Sequence, residues 1–270
     1  MFLFSATTIA FFSNARYNLK IRKSRFPVNG NVGEQKGKGI ILSTGVKERK
    51  STGQHTGKGY AGVYNRIIKR ILDLILAVIA SVVVTPIILV LGVFIALEDG
   101  FPILYTPLRG GYRGKSFHIF KLRTMRKDAD RFGGTTALND PRITKTGRLL
   151  RKVKLDELPQ AYNVLLGSMS FVGPRPELLR YTEAYAGEEQ LILQVRPGIT
   201  DFSSIEYISL DEIVGAENAD EMYEKYVLQK KNQLRIRYAK EVSFRTDVLL
   251  FFKTVGCVFK KVRRVVKGKR

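Results

Sequence analysis

The chain is poor in the residues on which several classes of enzyme depend. It has no tryptophan, two histidines (His55 and His118) and one cysteine (Cys257). One cysteine excludes an internal disulfide and a thiolate metal cluster within one chain. Two histidines leave little material for a histidine-rich zinc site or a serine–histidine–aspartate triad. Cys257 lies in an apolar stretch, which favours a buried, inert thiol in a reducing compartment. If the chain is an enzyme, we expect carboxylates and arginines to carry its chemistry.

Acidic residues are scarce at both ends of the chain. The 46 lysines and arginines outnumber the 24 aspartates and glutamates, which gives a formal net charge of +22. Residues 1–70 contain 14 basic residues and two acidic ones, and residues 253–270 contain 8 basic residues and no acidic one. The positive excess therefore lies in the two ends, with a nearly neutral body between them. Basic ends suit a polyanion, either nucleic acid or the anionic face of a membrane, and composition does not choose between the two.

Charge is absent altogether from residues 74–97, an apolar run long enough to enter a membrane. No small-residue cleavage site follows it, so a signal peptide is not expected. Pro86 lies near its centre and favours a bend at Thr85. A helix that enters the membrane, bends and returns is one interpretation. A plain spanning helix that tolerates its proline is the other.

The residues on either side of this run carry the same sign of charge. Arg66, Lys69 and Arg70 precede it, and Arg109, Arg113, Lys115, Lys121 and Arg123 follow it. Basic flanks tend to stay in the cytoplasm, so both ends are expected there, which favours the re-entrant interpretation. Asp73, at the entry, is expected to pair with Arg70 or a neighbouring basic group, because a lone carboxylate is costly in lipid.

Composition divides the chain into four segments. Residues 27–62 are rich in glycine, lysine, serine, threonine and asparagine and have almost no hydrophobic periodicity. We predict a disordered basic leader over residues 1–63, a membrane helix over 64–100, a small body over 101–245, and a basic amphipathic helix with a tail over 246–270. The last segment mixes aromatic and basic residues, which favours a helix lying on anionic lipid. A helix packed on the core with a solvated basic tail is the alternative.

Two β-rich runs open the body, at about residues 102–106 and 116–123, around a turn at Gly110 and Gly111. The turn sequence GGYRGKS resembles a phosphate-binding P-loop. Its glycine spacing is one residue short, however, and a strand pattern follows it instead of a helix. We therefore reject a P-loop.

The stretch KLDELPQ, residues 154–160, places Asp156 beside Glu157. Leucines and Tyr162 recur at helical spacing, so Pro159 is expected in the first helical turn and Asp156 at or near the helix cap. An acid there is often only a cap, but a helix start also binds phosphate and keeps a carboxylate ionised. Adjacent helical side chains point about 100° apart, so the two acids are expected to have separate roles.

Arginines accompany the acid pair. Arg175 lies between Pro174 and Pro176 in GPRP, and Arg196 lies in RPG, where prolines stiffen the backbone. Such arginines suit a bidentate grip on phosphate, although any one of them could be a surface charge or a structural ion pair. Further basic residues of this region are Arg123, Arg142, Arg148, Arg151 and Lys152.

The chain resembles the bacterial sugar transferase family, the monotopic polyprenyl-phosphate phosphoglycosyltransferases. The motifs that carry the resemblance are, in order, KRILDL before the apolar run, FKLRTM, LDELPQ, SFVGPRP and VRPGIT. The likeness runs from about Tyr64 to Val266, and LDELPQ followed by SFVGPRP is its most specific part. It implies a helix-rich α+β fold with a re-entrant, Pro-kinked membrane helix, a small cytoplasmic catalytic domain and interfacial amphipathic helices. Residues of the membrane-helix motifs would be Lys69, Arg70, Asp73, Thr85 and Pro86.

The resemblance also implies a reaction, the transfer of a sugar 1-phosphate from a UDP-sugar to undecaprenyl phosphate with release of UMP. Asp156 would be the nucleophile that carries a covalent phospho-sugar, and Glu157 would help to hold Mg²⁺ or handle a proton. Both acids would form the metal site. Phosphate- and substrate-binding residues would be Arg123, Arg151, Pro174, Arg175, Pro176 and Arg196. The enzyme would work on anionic lipid at the cytoplasmic face of the bacterial inner membrane, without nucleic acid, as a monomer or a homo-oligomer.

The chain departs from the family pattern at two places. Ser168 stands where many members have an acid, which weakens a metal role there, and DFSSIEY follows RPGIT where many members have Gly-Trp. Asp201 and Phe202 fall where contacts to nucleotide or sugar are expected, so the donor sugar is expected to differ rather than the reaction.

Two other classes of protein stay open. One is a membrane-anchored basic nucleic-acid-binding protein, for which no motif is found, and the other is a non-catalytic scaffold.

Overall fold

The computed structural model describes residues 59–127, 129, 140–208 and 219–266. Nearly all of the predicted leader (residues 1–63) and the last four residues of the predicted tail lie outside this range. What the sequence predicts for those residues stays a prediction.

Helices make up most of the described part, which agrees with the predicted helix-rich α+β class. The α-helices are α1 (Lys69–Asp99), α2 (Lys145–Val153), α3 (Gln160–Leu166), α4 (Leu179–Thr182), α5 (Phe202–Glu206), α6 (Ala219–Tyr223), α7 (Gln229–Glu241) and α8 (Phe244–Val266). Two π-helical turns, Tyr64–Ile68 and Glu224–Leu228, lead into α1 and α7. A 3-10 turn, Leu155–Glu157, joins α2 to α3.

Helix α1 contains the whole predicted apolar run and is long and apolar enough to cross a membrane by length and composition. The helix continues through Pro86, and the predicted bend at Thr85 stays a prediction. Its outward face is apolar, with Val82 72% exposed and Leu97 80% exposed. An apolar face of this extent on a soluble monomer would be unusual, so it fits contact with lipid or with a partner.

The opposite face of α1 is buried along its whole length. Its buried residues are Lys69, Asp73, Ala77, Ser81, Ile88, Gly92 and Ile95. Near the start, Arg70 donates to the carbonyls of Val164 (2.7 Å) and Leu165 (3.1 Å) in α3. At the end, Arg123 pairs with Asp99 (3.1 Å). One body therefore holds both ends of a helix of 31 residues, about 46 Å long.

The strands of the described part are short and pair in twos. β1 (Leu104–Tyr105) pairs with β4 (Lys121–Leu122), and β2 (Leu108–Arg109) pairs with β3 (Phe117–His118), both antiparallel. These strands confirm the two predicted β-rich runs, although each strand is shorter than its run. β5 (Ser170–Val172) and β6 (Gly198–Thr200) form a parallel pair that the sequence patterns did not predict.

Two glycines let the chain segments at β5 and β6 touch. A Cβ on Gly198 would lie 2.1 Å from the Gly173 nitrogen, so no side chain fits between them. The backbone N–H of Gly198 donates to the Pro174 carbonyl at 3.0 Å. This contact brings Arg175 beside β6, where its Nη1 donates to the Ile199 carbonyl at 3.3 Å. The glycines of GPRP and RPGIT thus position an arginine.

Asp73 does not form the predicted ion pair with Arg70, whose guanidinium is occupied by α3 carbonyls. Its Oδ1 accepts a hydrogen bond from the backbone N–H of Phe171 in β5 at 3.2 Å. Lys69, a neighbouring basic residue, acts on Asp73 through its charge, but its ion pair is with Asp247. Arg70 as the direct partner is therefore wrong, because Asp73 attaches β5 to α1 instead.

A buried carboxylate, Asp247, joins four helical elements. It accepts hydrogen bonds from the hydroxyls of Tyr64 (2.8 Å) and Tyr238 (2.7 Å), and it forms an ion pair with Lys69. These residues belong to the first π-helical turn, α1, α7 and α8. Asp247 is 7% exposed and Lys69 5%, so each charge depends on the other for compensation.

Asp247→Asn is expected to destabilise the protein by about 3 kcal/mol, because the Lys69 ammonium would stay buried beside an uncharged amide. Glu188→Gln is the matched control, since Glu188 pairs with Lys240 on the surface, where its side chain is 70% exposed. Thermal unfolding of both variants in detergent, followed by circular dichroism, measures the difference. Equal unfolding midpoints for the two variants would contradict the role given to Asp247.

Candidate active site

A cavity of about 520 Å³ lies between the membrane-type helix and the body. Its walls come from α1, the 3-10 turn Leu155–Glu157, β6, α5, α7 and α8. This volume is typical of small-ligand sites. Asp156, Glu157, Arg151 and Arg175 all line it, so four of the predicted site residues surround one space.

The acid pair lies in a turn of its own. Helix α2 ends at Val153, and Lys154 takes up the left-handed backbone conformation with a φ of 62°. Asp156 and Glu157 follow in the 3-10 turn, and the N-cap of α3 is Pro159. Asp156 therefore lies near the cap, as predicted, and just before it, whereas Pro159 caps the helix instead of lying in its first turn. A left-handed non-glycine residue costs about 1 kcal/mol, and such residues cluster at functional sites.

Asp156 is buried but not saturated with hydrogen bonds. It is 7% exposed, and its Oδ1 has no hydrogen-bond partner among the described residues. Burial raises the pKa of the Asp156 carboxyl, and the charge of Glu157 raises it further, against the charges of Lys121, Lys154 and Arg151. A carboxylate oxygen with no internal partner, beside a cavity, is available to a ligand.

Glu157 is held by two cations. Arg175 donates from Nη1 to Oε2 at 3.0 Å and from Nη2 to Oε1, and the Lys121 ammonium lies 3.6 Å from Oε1. Burial alone would raise the pKa of Glu157, but Arg175 and Lys121 more than offset it and hold that pKa far below its usual range. The two acids thus have different surroundings, which suits two separate roles rather than a shared proton.

Arg123, which the sequence places among the phosphate-binding residues, does not line the cavity. Its Nη2 donates to the carbonyls of Asp99 (2.9 Å) and Gly100 (2.6 Å), and it pairs with the Asp99 carboxylate. The carboxyl end of a helix attracts cations because its last carbonyls lack partners. Arg123 therefore closes the end of α1 and does not line the cavity.

Three more predicted binding residues do not line the cavity. Arg196 stacks over the Tyr112 ring at 5.0 Å, and its Nε donates to the Gly167 carbonyl at 3.3 Å. Pro174 and Pro176 line a separate crevice of about 20 Å³. Arg175 borders both spaces, so the prolines flank the arginine that reaches the acid pair.

Ser168 has a structural role in the described part. Its hydroxyl donates to the Asn163 carbonyl at 3.1 Å and accepts from Asn163 Nδ2 at 3.2 Å. Asn163 in turn bonds the backbone of Phe120 (2.8 Å) and His118 (2.8 Å). Ser168 does not line the cavity.

Sequence reasoning missed three lysines of the cavity, Lys121, Lys154 and Lys231. Lys121 lay in the FKLRTM motif but was read only as a flanking charge. Lys231, on α7, is 6% exposed and donates to the Tyr223 hydroxyl at 3.1 Å. Burial and the charge of Arg235 lower the pKa of Lys231 to about 7. No local pattern in QKKNQLR distinguishes this lysine from its neighbours, because its position depends on how α7 packs.

The acid pair and its described surroundings offer few side chains that could bind a metal ion. Among the described residues, no group of three histidine, cysteine or acidic side chains could hold one. Glu157 is occupied by Arg175, while Asp156 Oδ1 keeps its lone pairs. Mg²⁺ commonly uses one or two carboxylates together with substrate phosphates and waters. The residues present fit an ion held mainly by a diphosphate, with Asp156 and Glu157 as the nearby carboxylates.

Known proteins have sequences similar to that of this chain. The profile of the family described as bacterial sugar transferase matches residues 64–261. The chain is 36% identical over 169 residues to the uncharacterized sugar transferase EpsL of Bacillus subtilis, covering 63% of this chain and 76% of that protein. It is 33% identical over 179 residues to the UDP-glucose:undecaprenyl-phosphate glucose-1-phosphate transferase of Escherichia coli, covering 64% of this chain and 36% of that protein.

A third relative is the UDP-N-acetylgalactosamine-undecaprenyl-phosphate N-acetylgalactosaminephosphotransferase of Aeromonas hydrophila. The match is 34% identical over 178 residues and covers 64% of this chain and 39% of that protein. The chain thus spans well under half of two of these three relatives. The matched region nevertheless includes α1, the acid pair and every described wall of the cavity. The chain therefore belongs to the bacterial sugar transferase family, as its motifs indicated.

Proposed function

We propose that the chain transfers a sugar 1-phosphate from a UDP-sugar to undecaprenyl phosphate through a covalent phospho-sugar on Asp156, and that it initiates the assembly of a polysaccharide or glycoconjugate. The observation that carries the proposal is Asp156 itself, a cavity-lining carboxylate whose Oδ1 has no partner among the described residues. The cations Lys121, Lys154 and Arg151 lie near it, beside Glu157. The names of the relatives support the substrate class. The nucleic-acid-binding and scaffold alternatives gain no support from the family match.

Two displacements at one phosphorus complete the reaction. An Asp156 oxygen attacks the β-phosphorus of the UDP-sugar, and the bond from that phosphorus to the oxygen bridging the α-phosphate breaks, so that UMP leaves. An oxygen of undecaprenyl phosphate then attacks the same phosphorus. The bond to Asp156 breaks, the carboxylate is regenerated, and the product is an undecaprenyl diphosphate sugar.

The cations around Asp156 stabilise the charge that develops in both displacements. Arg151 and Lys121 line the cavity beside the acid pair, and Glu157 orients the Arg175 fork. Cations that the fold already holds in place act without reorganisation during the reaction. Mg²⁺ would add charge neutralisation on the diphosphate when bound. Asp156 and Glu157 are the carboxylates that would hold it.

The first displacement is tested without the lipid acceptor. Purified full-length protein is incubated with Mg²⁺ and a panel of donors that includes UDP-glucose and UDP-N-acetylgalactosamine. We expect one UMP per protein and a mass increase equal to a sugar phosphate on the peptide that contains Asp156. UMP release only in the presence of lipid, or an adduct on another residue, would contradict the two-step route.

The pH dependence of the reaction follows from the burial of Asp156. Only the ionised carboxyl attacks, and burial raises its pKa, so kcat/KM should fall with decreasing pH above the ordinary aspartate range. Lys121 lowers the pKa of Asp156, so Lys121→Met should move this acid limb to higher pH. UMP release measured between about pH 5 and 9 shows both effects. An acid limb in Lys121→Met at or below the wild-type pH would disprove this electrostatic relation.

We also propose that α1 is re-entrant and that the body lies at the cytoplasmic face of the inner membrane. The body holds both ends of α1, the other face of α1 is apolar, and the flanks are basic. Helix α8 adds exposed Phe252 (66%) and Phe259 (72%) among lysines, which supports an amphipathic helix on anionic lipid.

Labelling of single cysteines tests this topology. Val63→Cys and Phe101→Cys, in a Cys257→Ser background, place exposed thiols on either side of α1. A membrane-impermeant maleimide should label both in inside-out vesicles and neither in intact spheroplasts. One site labelled from each side would show a spanning helix instead. Pro86→Leu in both single-cysteine chains tests whether the proline is needed for the re-entrant path.

A further inference from the structure

One wall of the cavity has no part in the reaction proposed above. It is formed where β6 leads into α5 and where α8 passes beside them. Four hydroxyl side chains line the cavity there, and we name them the hydroxyl wall: Thr200, Ser203, Ser204 and Thr254. Tyr207 and Lys231 border the same space. Ser203 and Ser204 belong to DFSSIEY, the segment in which the sequence departs from the family pattern.

The hydroxyls of the two serines donate their protons to hydrogen bonds within the protein. Ser203 Oγ lies 2.9 Å from each carboxylate oxygen of Asp201, and Ser204 Oγ lies 2.7 Å from Oδ1. Asp201 also accepts the backbone N–H of Ser204 at 2.7 Å and is fully buried. A carboxylate only accepts, so both serines must donate to it. Both oxygens keep lone pairs, but Ser203 is fully buried, so only the Ser204 oxygen can meet a ligand.

The two threonines are arranged in the same way. The Thr254 hydroxyl donates its one proton to the Leu250 carbonyl at 2.8 Å. In the contact of 2.6 Å between the two threonine hydroxyls, Thr200 is therefore the donor and Thr254 the acceptor. The oxygens of Thr200, Ser204 and Thr254 can therefore accept a hydrogen bond from a ligand, but each can donate one only by giving up an internal bond.

Strand β6 links this wall to the acid pair. Arg175, which holds Glu157, also donates to the Ile199 carbonyl, and Thr200 and Asp201 come next in the chain. The charges of Arg175 and Asp201 both act on Lys231. A ligand with its phosphorus at Asp156 thus has the hydroxyl wall beside it in the same cavity.

From this complementarity we infer that the hydroxyl wall recognises the donor substrate by accepting hydrogen bonds from the O–H or N–H edge of a neutral ring. The inference rests on the proposed function and adds a specificity-determining surface to it. Two parts of a UDP-sugar present this chemistry, the hydroxyl and amide groups of the sugar and the N–H of uracil. An edge that lacks such groups would leave buried lone pairs without donors, which is unfavourable.

Ser204→Ala tests the inference, because Ser204 is only partly buried and its loss leaves Asp201 with the Ser203 bonds. We expect kcat/KM for the preferred UDP-sugar to fall about 5- to 20-fold while the Asp156 adduct still forms. Ser204→Thr keeps the hydroxyl and should recover most of the loss. Ser116→Ala, an exposed serine away from the cavity, is the control.

Inhibition by UDP shows whether the sugar or the uracil supplies the hydrogen-bond donor. Equal weakening of UDP and of UDP-sugars in Ser204→Ala assigns the wall to uracil, and weakening of UDP-sugars alone assigns it to the sugar. Either result supports the inference. Values within about twofold of wild type for every donor and for UDP, in both Ser204→Ala and Thr200→Val, would overturn it. If the wild type releases no UMP, the proposed function fails, and direct binding of UDP-sugars to the same variants still decides the inference.

Discussion

Asp156→Asn is expected to lower the rate of UMP release by about 10⁴-fold and to abolish the phospho-sugar adduct, a loss comparable to removal of other enzymatic nucleophiles. Asparagine keeps the size of the side chain, so the 3-10 turn and the cavity should persist. It removes the charged oxygen that would form the bond to phosphorus. The amide also places a hydrogen-bond donor in a pocket where Arg151, Lys121 and Lys154 supply positive charge.

The controls for this result separate chemistry from folding. Asp220→Asn removes one negative charge beside Arg180 on the surface, away from the cavity, and should leave UMP release within about twofold of wild type. Asp156→Ala, which cannot deamidate back to aspartate, should be as inactive as Asp156→Asn. UMP release at wild-type rates in both Asp156 variants would remove the nucleophile and with it the covalent route.

Local patterns predicted the elements whose structure depends on neighbours in the chain. The charge-free run 74–97 lies within α1, where its outward side chains form the exposed apolar face, and the runs at 102–106 and 116–123 become paired strands. The helical spacing after Pro159 predicts α3. Periodicity and charge are properties of contiguous residues, so they are visible before the fold is known.

Contacts between distant segments were not predictable in the same way. The parallel pair β5–β6 depends on Gly173 meeting Gly198, which no pattern in either segment shows. Arg123 and Arg175 read alike as arginines in basic motifs. One closes α1 through Asp99, and the other reaches Glu157, because their strands and turns face different directions. Residue type indicates what an arginine can bind, and the packing of the chain decides which partner it finds.

Arg175→Lys is expected to lower kcat/KM by about 10²-fold although it keeps the charge. The guanidinium binds both oxygens of Glu157 and the Ile199 carbonyl at once, and an ammonium cannot reproduce that fork. Loss of the fork would release β6, and so the hydroxyl wall, from the acid pair. Arg180→Lys is the matched control, because Arg180 is half exposed and pairs with Asp220 and Glu224 at 3.5 Å on the surface. A loss in Arg175→Lys no larger than in Arg180→Lys would mean that charge alone matters.

A double-mutant cycle then shows whether Glu157 and Arg175 act as a unit. If they do, Glu157→Gln with Arg175→Met should cost about as much activity as the worse single variant, instead of the product of the two losses.

The pH dependence of stability gives an independent measure of the Glu157–Arg175 pair. In the wild type the depressed pKa of Glu157 contributes stability above the pKa of the unfolded chain, and this contribution is lost as pH falls through the folded pKa. Arg175→Met leaves burial to raise that pKa, against the charges of Lys121 and Lys154. The stability difference between wild type and Arg175→Met, measured by urea unfolding, should therefore be larger at about pH 7 than at about pH 4. A difference that does not change with pH would show that Arg175 stabilises the fold without stabilising the Glu157 charge.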